Sequence, residues 1–83
     1  MGTRNFKGGR AEKAVEFYEK GISLEPRNSN LHLHLAEAYL SLKRDAAAKK
    51  ELDMLIAMKP DQEFAVEHAA VVAKAKELLS KNF

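Results

Sequence analysis

The sequence predicts an all-α chain of about four helices folded into antiparallel hairpins, and three observations carry that prediction. Ala (13) and Leu (10) supply most of the 38 hydrophobic residues, whereas Val, Ile and Thr together number seven. Alanine and leucine enter helices at low cost, and strands favour the residue types scarce here. All four glycines (Gly2, Gly8, Gly9, Gly21) fall within the first 21 residues, so the rest of the chain has no glycine breaker. The only prolines, Pro26 and Pro60, stand 34 residues apart, a period that belongs to arrays of helical hairpins.

The first helix is predicted from about Arg10 to Leu24, with Ala14, Phe17, Tyr18, Gly21 and Ile22 on its packed side. Gly8-Gly9 ahead of it fits a turn between two helices. Proline cannot continue a helix, so Pro26 and Pro60 end hairpins. Asn28-Ser29-Asn30 offers N-cap side chains for a second helix, about Asn30 to Leu42. Leu31-His32-Leu33-His34-Leu35 alternates like a strand, but Ala36-Glu37-Ala38-Tyr39-Leu40 breaks the alternation, and Leu31, Leu35, Tyr39 and Leu42 form a helical stripe. Asp45 is the expected N-cap of a third helix reaching about Met58, with Ala48, Leu52, Leu55 and Ile56 inward. Asp61 and Glu63 suit the first turn of a fourth helix, because carboxylates favour the positive end of the helix dipole. That helix is expected to continue to about Ser80.

A self-comparison at 34 residues places Arg10, Ala14, Ile22 and Pro26 on Arg44, Ala48, Ile56 and Pro60, with Tyr18/Leu52, Glu19/Asp53 and Leu24/Met58 as conservative pairs. One full period then reads His32, Leu35-Ala36, Tyr39, Ala48, Leu52, Pro60, and the preceding one supplies Ala14, Tyr18 and Pro26 at matching spacings. Small residues let antiparallel helices approach, and larger ones fill the neighbouring holes. These residues resemble the tetratricopeptide repeat family, with His32 in place of the usual Trp, Ala36 in place of Gly and Leu52 in place of the aromatic. The resemblance implies a right-handed α-solenoid of hairpins. On that reading 1–28 is a truncated first repeat, 29–62 a complete repeat, and 63–83 a C-terminal capping helix, so the chain is expected to be the end of an array.

Composition excludes several functions. Fourteen basic and twelve acidic residues are intermixed for a net charge of +2, and nucleic-acid binding needs cations clustered on one face. The densest basic stretch, Lys43-Arg44 with Lys49-Lys50, is interrupted by Asp45 and followed by Glu51, and reads as a solvated helix face. No apolar run approaches the roughly 20 residues of a membrane span, and Met1-Gly2-Thr3-Arg4-Asn5-Phe6-Lys7 has no apolar segment behind its charges. A soluble chain is expected. The absence of cysteine removes disulfides and suits cytoplasm and periplasm alike, with the cytoplasm placed slightly ahead. No catalytic residue is assigned: Ser23, Ser29, Ser41, Ser80 and Thr3 lie in no nucleophile motif, and Gly8-Gly9 lacks the strand and the Lys-Ser/Thr of a phosphate loop. The expectation is a non-enzyme without cofactor. His32 and His34, two apart on a helix, point to nearly opposite sides. His34 and Glu37 share a face, with His68 at the equivalent repeat position, but helix axes about 8–10 Å apart are too distant for one ion. No metal is expected.

The resemblance implies a protein or peptide partner bound in the concave groove, and by position it nominates Asn30, Leu33, His34, Glu37 and Ser41 from the second helix with Phe64, Glu67, His68 and Val71 from the fourth. Leu33 and Phe64 are surplus to the core stripe, and exposed apolar residues rimmed by polar ones mark interaction surfaces. Chaperone-binding members of the family grip a C-terminal carboxylate with Lys, Asn and Arg, but the corresponding positions hold His34, Phe64 and His68 beside Glu37 and Glu67. An apolar peptide carrying Lys or Arg is the expected ligand. The alternative is self-association into a homo-oligomer through uncovered faces of the first and last helices, at Val15, Phe17, Tyr18, Val72 and Leu79.

Overall fold

The computed structural model describes residues 2–59 and 65–83, and among them every regular element is an α-helix. In chain order these are α1 (Gly2–Leu24), α2 (Ser29–Ser41), α3 (Asp45–Ala57) and α4 (Ala65–Asn82). Pro60 to Phe64 lie outside the described residues, and with them the expected stop after the third helix, the first turn of the fourth and one nominated groove residue.

The all-α expectation holds, with local corrections. Helix α1 starts earlier than predicted and runs through Gly8-Gly9 instead of turning there. Glycine in a helix costs about 1 kcal/mol relative to alanine but does not forbid helical dihedrals, and no described glycine adopts a positive φ. Asp45 is the first residue of α3 and not its cap; Arg44 holds the cap position without a side-chain hydrogen bond. Lys43 before it takes the left-handed conformation (φ 60) that lets a three-residue link reverse the chain. At the other link, Asn28 caps α2 as expected, its side chain accepting from the Leu31 amide, while Pro26 sits in the turn after Leu24.

Helix α2 is the hub. It packs against α1, α3 and α4; α3 also packs against α4, and among the described residues α1 packs against α2 alone. Two clusters result. Leu33, Ala36, Leu52, Leu55, Val71 and Ala75 join α2, α3 and α4, and Val15, Leu35 and Ala38 join α1 to α2. The short links make α1 and α2, and α2 and α3, antiparallel neighbours. Gly21 lies at a close approach of α1 to α2, since a Cβ there would stand 3.0 Å from Leu31 Cδ1.

Three apolar expectations change with this packing. Leu33 is not surplus to the core: it is 7 % exposed, because a helix with neighbours on three sides buries more than one stripe. Val15 is buried in the α1–α2 cluster and is no part of an uncovered face. Phe17, placed by the sequence both on the packed side and on a possible self-association face, is 69 % exposed and not packed on α2, the helix that α1 contacts among the described residues.

His32, in place of the tryptophan, is buried without orphaned atoms. Its Nδ1 lies 2.8 Å from Glu51 Oε1 on α3, and its Nε2 donates to the Pro26 carbonyl at 2.8 Å. The ring therefore ties the α1–α2 link and α3 to α2, a polar substitute for an indole of larger volume.

Candidate partner-binding face

The nominated residues fall into three groups. Leu33, His68 and Val71 are buried and offer no surface; His68 Nδ1 is hydrogen-bonded to Ser29 Oγ, joining α4 to the first residue of α2. The sequence register pairs His68 with His34, yet the first is buried and the second exposed. Helix α4 buries the stripe His68, Val71 and Ala75, backed by Leu78 and Leu79, against α2 and α3, a face rotated from the one that α2 turns inward. Phe64 lies outside the described residues.

His34, Glu37 and Ser41 come together on α2 and line a concavity of about 290 Å³ with Arg10, Ala11, Ala14 and Tyr18 of α1. The His34 ring stacks on Tyr18, centroids 5.5 Å apart, and its Nδ1 lies 3.1 Å from Glu37 Oε1. The α1 wall was missed in the nomination, which looked for the groove between α2 and α4. The half-filled Tyr18 position was the available signal, since it falls on fully buried Leu52 one period later.

Asn30 and Glu67 form the second place. Asn30 Nδ2 donates to Glu67 Oε1 at 2.9 Å, bridging α2 to the first turn of α4. They border a concavity of about 450 Å³ whose other walls are the α1–α2 link, Glu25 to Asn28, with Ser29, Leu31 and His68. Glu25 accepts from Asn28 Nδ2 at 3.0 Å. The arrangement holds the hydrogen-bonding carboxylates of Glu25 and Glu67 at an accessible rim, with Ser29 and His68 buried beneath. Among the described residues no three His, Cys, Asp or Glu side chains converge as for a metal ion.

Two titrating groups are displaced. Burial first, then a hydrogen bond to Glu19 at 3.0 Å and the charges of Glu19 and Glu51, push the Tyr39 phenol above its ordinary range, with Arg44 opposing. At the far end of α4, the ammonium groups of Lys81 and Lys74 hold the exposed Glu77 carboxyl below the usual range.

Helical hairpins of this register define an interaction scaffold of the repeat class, and comparison with known proteins names it: a tetratricopeptide repeat profile matches residues 6–75, and the chain belongs to that family. Similar curated proteins are RNA polymerase II-associated protein 3 of Rattus norvegicus, 37 % identical over 57 residues and 69 % of this chain, and of Xenopus laevis, 33 % identical over 60 residues and 72 % of it. The human protein of that name is 33 % identical over 57 residues. The matched part is 9 % of each relative's length. No solved structure matches the chain with comparable significance. No helix among the described residues is long and apolar enough to cross a membrane.

Proposed function

We propose that this chain is a non-catalytic protein-interaction module that takes an apolar peptide bearing Lys or Arg on the face of α2, with α1 and the start of α4 as its walls. The supporting observation is a segregation of charge. The chain holds 14 Lys and Arg among 83 residues, yet residues 28–42 and 65–73 contain none. In those two stretches the ionised groups are Glu37 and Glu67, both on open concavities. Arg10 and Arg27 stand on the opposite walls, from α1 and the link. A cationic side chain meets a preoriented carboxylate at either place, and Tyr18 with His34 gives an aromatic ledge for an apolar neighbour.

Fluorescence anisotropy with a labelled apolar-basic peptide library, against an acidic C-terminal peptide as control, tests this. Binding of the basic set is expected, weakened at least fivefold by Glu37→Gln or Glu67→Gln and by added salt. Preference for the acidic peptide would overturn it. The curated relatives are named for association with RNA polymerase II, which makes that assembly the first source of partner sequences to try.

A further inference from the structure

The surroundings of His32 fix how many protons it shares with its partners. Its Nε2 lies 2.8 Å from the Pro26 carbonyl oxygen and its Nδ1 lies 2.8 Å from Glu51 Oε1. A carbonyl oxygen and an ionised carboxylate both accept and never donate, whereas a neutral imidazole has a single N–H to give. One neutral ring cannot make both bonds. With Nε2–H committed to Pro26, Nδ1 and Oε1 face each other lone pair to lone pair unless one more proton lies between them. That proton stands on Nδ1, as an imidazolium against a carboxylate, or on Oε1, as a carboxylic acid against a neutral ring, and in either form the pair has no net charge. Burial makes the count matter: the two side chains are 4 % and 15 % exposed, and an uncompensated charge beside an unmade hydrogen bond is costly away from water.

The other two histidines carry no such constraint. His68 Nδ1 is bonded to the Ser29 hydroxyl, which can donate or accept, and His34 with Glu37 is open to water. Within their own helices the pair has no charged neighbour one turn away: Glu51 has Ala47, Ala48, Met54 and Leu55 there, and His32 has Asn28, Ser29, Leu35 and Ala36. The ionisable groups joined to its surroundings are Glu25 and Arg27 on either side of Pro26 in the link, Tyr39 of α2, which feels the Glu51 charge, Glu19 of α1 and Arg44 acting on that same phenol, and His68 of α4 through Ser29. We infer that His32 and Glu51 hold one shared proton in the folded chain, so that the closing of α2 on α3 is a proton-linked latch that loosens as the pH rises. The sign follows from the unfolded chain, where an imidazole gives up its proton near pH 6.5 and a carboxyl near pH 4.3. Above about pH 6.5 the unfolded pair is a neutral ring and a carboxylate, and the folded pair binds one proton more. The folding constant therefore falls as pH rises, by up to about tenfold per pH unit, until the folded pair gives its proton up. This latch is independent of the peptide-binding reading, since neither Glu37 nor Glu67 belongs to it.

Urea unfolding of the unmodified chain and of Glu51→Gln, between about pH 6 and about pH 8.5, tests it. A glutamine amide can donate to the lone pair of a neutral Nδ1, so the variant closes the same contact without the extra proton. The ratio of the two folding constants is expected to shift by at least about fivefold in favour of the variant across that range, and contributions from His34 and His68 cancel in it. A ratio that does not change with pH would refute the latch. Nitrogen-15 and carbon-13 spectra of the unmodified folded chain decide the matter even where the variant fails to fold. At about pH 7.5, where a free imidazole is about nine-tenths neutral, His32 is expected to show two ring N–H groups, or one together with a protonated Glu51 carboxyl. A single ring N–H beside an ionised Glu51 carboxylate would overturn the inference.

Discussion

Helices α1 and α3 are one period apart in sequence and carry the same signature, yet they live in different surroundings. Ala48, Leu52 and Leu55 of α3 are fully buried between α2 and α4, whereas their counterparts Ala14, Tyr18 and Gly21 are half-buried, with α2 the one helix packed on α1 among the described residues. In a repeat protein the residue type sets which face packs, and the number of neighbours sets how completely. The largest expected effect follows. Leu52→Ala is predicted to cost about 3 kcal/mol, from lost transfer energy and the cavity left in a closed site. Tyr18→Ala, in the same register, should cost about half of that. Against a total stability on the order of 4–12 kcal/mol for a domain of this size, urea denaturation followed by circular dichroism resolves the difference. Equal losses would mean that α1 is covered as fully as α3 in solution.

The polar links of the two hairpins sharpen the same contrast. His32 and Glu51 meet in the interior, their side chains 4 % and 15 % exposed, whereas the Tyr39–Glu19 bond between α2 and α1 lies at the surface. Removing the ring by His32→Ala strands the Pro26 carbonyl and the Glu51 carboxylate, and about 2 kcal/mol of destabilisation is expected. Glu19→Gln at the exposed link should change stability by less than about 0.5 kcal/mol. The same denaturation experiment reads both, and a neutral His32→Ala would show that the pair is not sealed.

How much of this was legible in the sequence follows from how local each cause is. Four helices and the hairpin links were readable because proline spacing, the Asn28 cap and the Ala/Leu stripes act within a turn or two of chain. The continuation of α1 through Gly8-Gly9 was not, since a glycine pair signals a turn by propensity alone and propensity amounts to only about 1 kcal/mol per residue. His68 and Val71 were assigned to a surface because the family position was carried over without the rotation of α4, which buries whichever stripe meets α2 and α3, and Leu33 because α2 was read with one packed stripe although it has neighbours on three sides. His34 and Glu37 were placed correctly beside one another by their i, i+3 spacing. The α1 wall beside them depends on a contact between Tyr18 and His34, 16 positions apart, that no local pattern encodes.

The smallest effect concerns the α1–α2 link alone and appears only at high pH. Burial and the neighbouring Glu19 and Glu51 charges raise the Tyr39 phenol in the folded chain. An unfolded chain loses that proton near pH 10, and the folded one holds it longer, so between the two values the folded state binds more protons. Stability is therefore full below about pH 10 and declines as pH rises through the folded value. A tyrosinate absorbance titration on the Tyr18→Phe variant isolates Tyr39. Its midpoint should lie above that of the denatured chain, and Glu19→Gln should move it down by removing one negative charge while an acceptor and the burial remain. A midpoint that Glu19→Gln leaves unmoved would show that the Tyr39–Glu19 bond is open in solution. In that case α1 is held to α2 by ring stacking and apolar packing around Val15, Leu35 and Ala38, and the contrast between the two hairpins is wider than their burial indicates.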